Sequence, residues 1–131
     1  MEPQLTHVLI VDDEPAISKA LATALTRAGG FRVSTALSGE TAMLVVRSQH
    51  VDVMIIDLRI GDLRGDALFE LAAATQPHLR NRSLFTTGDI TVRAQELIEA
   101  TRCPLLRKPF ELKEMIDWAR SVQPLRTDQT A

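Results

Sequence analysis

Asp12, Asp13, Asp57, Thr87 and Lys108 are the side chains of this sequence that could do chemistry together. Each stands where a short apolar run ends: His7–Val11, Val51–Leu58, Ser83–Thr87 and Cys103–Lys108. If those runs were neighbouring strands, one rim would collect three carboxylates, a hydroxyl and an ammonium. Carboxylates held close repel one another, and burial strengthens the repulsion. A hard divalent cation relieves it, and magnesium suits a few carboxylates combined with waters and phosphate oxygens. Taken singly, the same residues have plainer roles. Asp12-Asp13-Glu14 before Pro15 could be helix N-terminal acids, Thr87 a turn hydroxyl and Lys108 an edge-strand lysine.

The intervening segments decide whether these ends meet. Pro15 suits a first helical turn, and Ile17, Leu21, Ala24, Leu25 and Ala28 follow at helical spacing until Gly29-Gly30. Phe31–Ala36 alternates as a strand with one exposed face does. Ser38 can cap a second helix running through Val46, with Glu40 in its first turn. Arg59–Arg64 reads as a loop containing Gly61, and Gly65 opens a third helix that Gln76-Pro77 ends. Gly88-Asp89 turns into a fourth helix bearing Val92, Leu97 and Ile98. Pro109 starts a fifth, bearing Leu112, Met115, Ile116, Ala119 and Val122.

Regular strand–helix alternation implies a parallel sheet covered on both faces. The near-solid runs Val8–Val11 and Val53–Ile56 belong at its centre. The expected fold is therefore α/β, a (βα)5 doubly wound, flavodoxin-like sheet of strand order 2-1-3-4-5. Such sheets bind ligands outside the carboxyl ends of the strands, near the switch between strands 1 and 3. That is where the acids, Thr87 and Lys108 would lie.

Val8-Leu-Ile-Val-Asp-Asp-Glu-Pro15, Val51-Asp-Val-Met-Ile-Ile-Asp-Leu58, Thr87-Gly88 and Lys108-Pro-Phe110 together resemble the receiver domain of two-component response regulators. The resemblance runs from His7 to about Val122. It implies a phosphoacceptor role for Asp57, whose carboxylate would attack the phosphorus of a histidine kinase's phosphohistidine. It implies magnesium ligation by Asp13 directly, by Asp12, by Asp57 and by the backbone carbonyl of Arg59. Thr87 and Lys108 would grip the phosphoryl oxygens. Arg59 and Asp89 match positions that influence hydrolysis of the phosphorylated state. Residues 1–123 form the receiver on this view, with a polar tail over 124–131.

The sequence departs from the family at several points. Gly61 stands where a proline is common, which predicts a more mobile loop after Asp57. Leu105 occupies the switch position that often carries an aromatic ring. The Lys108-Pro109 peptide is often cis in the family. His7, His50 and His78, scattered at element ends, read as structural or exposed, and Cys103 as a small strand residue. Trp118 reads either as a partly exposed anchor on the fifth helix or as a core side chain folded over its edge.

The 131 residues allow one domain, and 45% hydrophobic with 24% charged residues excludes disorder and low-complexity fibres. A net charge of −2 and 4% aromatics argue against a nucleic-acid surface. No apolar run approaches the roughly 18 residues of a membrane helix. Met1 reads as a natural start without a secretory signal, and the single Cys103 suits a cytoplasmic setting. The expected role is a signalling module rather than an enzyme. Its partners would be a sensor histidine kinase or phosphotransfer protein, and a second copy through helix 4, strand 5 and helix 5. The same receiver could also be a module of a longer regulator or hybrid kinase. An aspartyl-nucleophile, magnesium-dependent phosphatase of the haloacid-dehalogenase type is disfavoured, because Arg59 stands where its general acid belongs. Gly-x-x-x-x-Gly-Lys and Gly-x-Gly-x-x-Gly nucleotide loops do not occur.

Overall fold

A computed structural model describes residues 4–122 of the chain. The strands are β1 (Thr6–Val11), β2 (Phe31–Ala36), β3 (Val53–Asp57), β4 (Arg59–Ile60), β5 (Leu63–Arg64), β6 (Ser83–Thr87) and β7 (Leu105–Arg107). The helices are α1 (Pro15–Ala28), α2 (Gly39–Ser48), α3 (Gly65–Thr75), α4 (Val92–Thr101) and α5 (Leu112–Ser121). A 3-10 turn, Pro77–Asn81, follows α3.

Strands buried on both faces need continuous apolar runs, and β1 and β3 supply them. They lie at the centre of a parallel sheet ordered β2-β1-β3-β6-β7. Counted by sheet strands alone, this is the expected 2-1-3-4-5. The twofold period of a strand divides the core in two. Leu9, Val11, Met54 and Ile56 face α2, α3 and α4, where Phe69 meets Phe85 edge-on at 5.8 Å. Val8, Ile10, Val53 and Ile55 face α1 and α5, with Leu21, Leu25 and Met115. Burying one such aliphatic side chain contributes about 1.5–3 kcal/mol. The chemistry-bearing loops therefore stand on rigid supports.

Several boundaries differ from the sequence-based expectation. The Arg59–Arg64 segment is a hairpin, β4 pairing antiparallel with β5. Gly61 turns it with φ 35°, Ile60 is buried, and Asp62 accepts from the Gly39 and Glu40 N–H groups that open α2. The segment after Asp57 is thus anchored at both ends rather than a free loop. β7 begins at Leu105 and not Cys103, because Arg102 ends α4 in the left-handed region and Pro104 has no N–H for the ladder. α5 begins at Leu112 and not Pro109; its first bond runs from Glu114 N–H to the Glu111 carbonyl. The Lys108-Pro109 peptide is cis. The tail expected over 124–131 lies outside the described residues.

The three histidines are not scattered. They converge at the amino end of the sheet, opposite the acidic rim. The ring of His7 is buried; its Nδ1–H donates to the His50 carbonyl at 2.7 Å, and its Nε2 lies 2.7 Å from the Ser34 hydroxyl. His50 and His78 stack with centroids 4.8 Å apart. His50 donates to the buried Asp52 carboxylate at 2.9 Å, and His78 donates to the Val51 carbonyl at 2.6 Å. Trp118 is half-buried and packs on the α1–α5 core, between the two readings its position allowed.

Two outcomes follow from this packing. Burial, the largest influence on each, pushes the His7 and His78 imidazoles below their ordinary range. The unfolded chain then binds protons more readily, so stability present above pH ~6.5 is lost as the pH falls toward the lowered values. Thermal melts between pH 8 and 5 should show a falling Tm, and His78→Gln should flatten the curve. Gly65 carries the second outcome, since a Cβ there would stand 2.4 Å from the Asp57 carbonyl oxygen, a backbone atom. Gly65→Ala should cost about 1–3 kcal/mol in urea unfolding.

Candidate functional site

The carboxyl ends of β1, β3, β6 and β7 form one rim because the strands are parallel and in register. Asp12 follows β1 and is almost fully buried, while Asp13 beside it is exposed. Asp57 is the last residue of β3, and Gly65 N–H closes the chain behind it onto the Leu58 carbonyl at 2.7 Å. Thr87 ends β6, buried. Lys108 follows β7 and is tied to β6 by its N–H, which donates to the Thr87 carbonyl at 2.8 Å.

The Lys108 ammonium joins three strands. Its Nζ donates to Asp57 Oδ2 at 2.7 Å and to Asp12 Oδ2 at 3.1 Å. The remaining oxygens are also engaged, since Asp12 Oδ1 accepts from Glu14 N–H at 2.9 Å and Asp57 Oδ1 from Arg59 N–H at 3.0 Å. Burial raises the Asp57 carboxyl above its usual range, against the pull of Lys108 and the Arg59 N–H. Burial works to lower the Lys108 ammonium, and its bonds to Asp57 and Asp12 more than offset this, so it lies above its usual value. A raised carboxylate is a more basic one, which helps a nucleophile that must first stay ionised.

The site retains an excess of negative charge. Oxygen atoms of Asp12, Asp13 and Glu14 lie within 4.8 Å of one another. An all-oxygen set with one buried and two exposed members fits a hard cation that keeps some of its water, as magnesium does. A cavity of about 420 Å³ opens over these groups, lined by Asp13, Glu14, Asp57, Arg59, Gly88, Asp89 and Lys108.

Asp12, Asp57 and Lys108 are therefore in direct contact, and Asp13 stands on the cavity wall. The Thr87 hydroxyl bonds none of these groups; its Oγ accepts from Asp89 N–H at 3.0 Å. Leu105 is not part of the constellation; it is half-buried in β7, paired in register with Phe85 and packed on the core. The Arg59 side chain does not bond the carboxylate cluster, which only its backbone N–H reaches. Its guanidinium bonds Asp89, with Nε donating at 3.1 Å and Nη2 closing the pair. Arg59 holds the Asp89 carboxyl down at about 2, helped by the Thr91 N–H. That pairing spans thirty positions and leaves no local mark in the sequence. Glu14 also joins the cluster beyond the residues expected, and its only sequence signal is adjacency to Asp12-Asp13.

The family model for the response regulator receiver domain matches residues 8–120. The chain is 38% identical over 90 residues, 69% of its own length and 20% of the other's, to the transcriptional regulatory protein GlrR of Escherichia coli strain K12. It is 33% identical over 128 residues, covering 93% of itself and 49% of the other chain, to the probable transcriptional regulator ycf27 of Pyropia yezoensis. The chain thus spans from a fifth to about half the length of these relatives. Among solved structures it is similar to a CheY-like receiver domain protein from Methanospirillum hungatei JF-1, with TM-score 0.82 and 19% identity over 90% of this chain and 93% of that one. The chemotaxis protein CheY4 of Vibrio cholerae superposes with TM-score 0.80 and 22% identity, over 91% of this chain and 99% of that one. With its acids, lysine and threonine on the rim that this family's motifs mark out, the chain belongs to the receiver domains of two-component response regulators.

Proposed function

We propose that Asp57 accepts a phosphoryl group and that the chain switches its protein contacts in response. The observation that carries this reading is the Lys108 ammonium held between Asp57 and Asp12 at the floor of an open cavity. A carboxylate oxygen of Asp57 attacks phosphorus, forming the P–O bond of an acyl phosphate. The bond from phosphorus to the donor breaks, and its electron pair leaves on the imidazole nitrogen of a phosphohistidine or the carboxylate of acetyl phosphate. Asp12, Asp13, Asp57 and the backbone carbonyl of Arg59 would hold magnesium, which neutralises charge on the transferring phosphoryl oxygens. Lys108 gives up its bond to Asp57 Oδ2 and donates to a phosphoryl oxygen instead. The Thr87 hydroxyl, at the end of β6, turns to donate to another. Arg59 and Asp89 set how readily water reaches the acyl phosphate.

The phosphodonor on this reading is a sensor histidine kinase or a phosphotransfer protein in the cytoplasm. No helix among the described residues is long and apolar enough to cross a membrane. A second copy could dock through α4, β7 and α5, although Trp118 offers only part of its ring there. The net charge of −2 supports protein partners over nucleic acid for this domain. A receiver working inside a longer regulator is the second reading, favoured by the greater length of its relatives.

Intact-protein mass spectrometry after acetyl phosphate and magnesium should find one labile phosphate adduct, lost with chelator and absent in Asp57→Asn. An adduct that persists in Asp57→Asn would refute the assignment. Arg59→Ala should lose its phosphoryl group several-fold faster than the wild type, because the guanidinium screens attacking water. Equal dephosphorylation rates would remove Arg59 from that role.

A further inference from the structure

A groove of about 720 Å³ lies beside the acceptor cavity. The β4–β5 hairpin forms one wall and α4 the other, and Arg59 and Asp89 line both spaces. Asp89 sits where two hydrogen-bond paths from the site meet. One path runs through Arg59, whose Nε donates to Asp89 Oδ2 at 3.1 Å. The other runs through Thr87, whose Oγ accepts from Asp89 N–H at 3.0 Å. Past the junction, Asp89 Oδ1 accepts from Thr91 N–H at 2.9 Å. Thr91 is the N-cap of α4, its Oγ accepting from Ala94 N–H at 3.2 Å. A continuous polar path therefore links the acceptor cavity to the start of α4.

The members of this path differ in freedom. The Arg59 side chain is 74% exposed, while that of Asp89 is 10% exposed. A phosphoryl group on Asp57 would bring close to two negative charges into the cavity that Asp89 lines. Guanidinium prefers the bidentate geometry of a phosphate, and a carboxylate on the same wall is repelled by it. Both effects act on the same ion pair in the same sense. Leu105 has no polar atom through which to feel that charge.

We propose that Asp89 is a positioning residue that couples occupancy of the acceptor cavity to the first turn of α4, with Arg59 as its movable arm. The coupling rests on Asp57 being the phosphoacceptor. When Arg59 turns to the phosphoryl group, Asp89 rotates outward and releases Thr91 N–H. The first turn of α4 loosens, and with it the flanking Ile90 and Val92, which are 78% and 71% exposed. The response leaves the site through the β6–α4 loop, without an aromatic residue at position 105.

Beryllofluoride with magnesium, added to the full chain, is the probe. Fluorine NMR registers fluoride bound at the site, and hydrogen exchange with mass spectrometry follows a peptide covering Ile90–Leu97. Binding should speed exchange at Thr91–Ala94 about fivefold, roughly the protection that one N-terminal capping bond supplies. Asp89→Ala should exchange at the fast rate with and without the probe. Arg59→Ala should raise the resting rate and shrink the response, and Leu105→Ala should respond as the wild type does. Bound fluoride with unchanged α4 exchange overturns the coupling and leaves the phosphoacceptor reading standing. A full response in Asp89→Ala, or a lost one in Leu105→Ala, overturns it equally. Absence of any bound-fluoride signal overturns the phosphoacceptor reading and the coupling together.

Discussion

Two carboxylates cannot be brought together at the end of a buried sheet unless something offsets their repulsion. Here the Lys108 ammonium does so, 2.7 Å from Asp57 and 3.1 Å from Asp12. The contact ties β1, β3 and β7 at their carboxyl ends. Removing one partner from such a buried cluster costs on the order of 3 kcal/mol, because a charge is left uncompensated. The same arrangement is chemically poised. One ammonium cannot neutralise Asp12, Asp57, Asp13 and Glu14, so the rim keeps a demand for positive charge.

The surrounding packing holds that rim in place. α3 begins so close to the Asp57 carbonyl that only glycine fits at position 65. The hairpin after Asp57 is pinned by buried Ile60 and by Asp62, whose carboxylate takes up two N–H groups at the start of α2. Asp57 is therefore braced by α3 behind it and by α2 through the hairpin. By contrast, the Arg59–Asp89 pair is exposed on its arginine side. A rigid centre with one movable rim contact suits a module that must register a small chemical change as a change of surface.

The two ends of the sheet divide the polar work. The carboxyl end carries the acids, Thr87 and Lys108. The amino end carries His7, His50, His78 and Asp52, whose bonds to the Val51 and His50 carbonyls and to Ser34 satisfy buried backbone and strand ends. Both clusters obey one rule, that a buried polar group must find a partner. At the amino end every bond is internal and the role is structural. At the carboxyl end a cavity opens over the bonded groups.

The strand–helix alternation, the central runs Val8–Val11 and Val53–Ile56, the Ser38 cap and the rim residues Asp12, Asp13, Asp57, Thr87 and Lys108 were legible in the sequence. They rest on local physics: apolar periodicity, capping chemistry, and strands that deliver their ends to a common edge. The hairpin at Arg59–Arg64, the late start of α5, the gathering of the histidines and the Arg59–Asp89 pair were not. Their partners lie far along the chain: thirty positions from Arg59 to Asp89 and forty-three from His7 to His50. An exposed arginine has several carboxylates within its possible reach, and only the folded backbone decides which one stands at bonding distance. Local propensity determined the elements and the order of the rim, while side-chain partnership was decided by tertiary packing, because contact depends on where the sheet and helices carry each Cα.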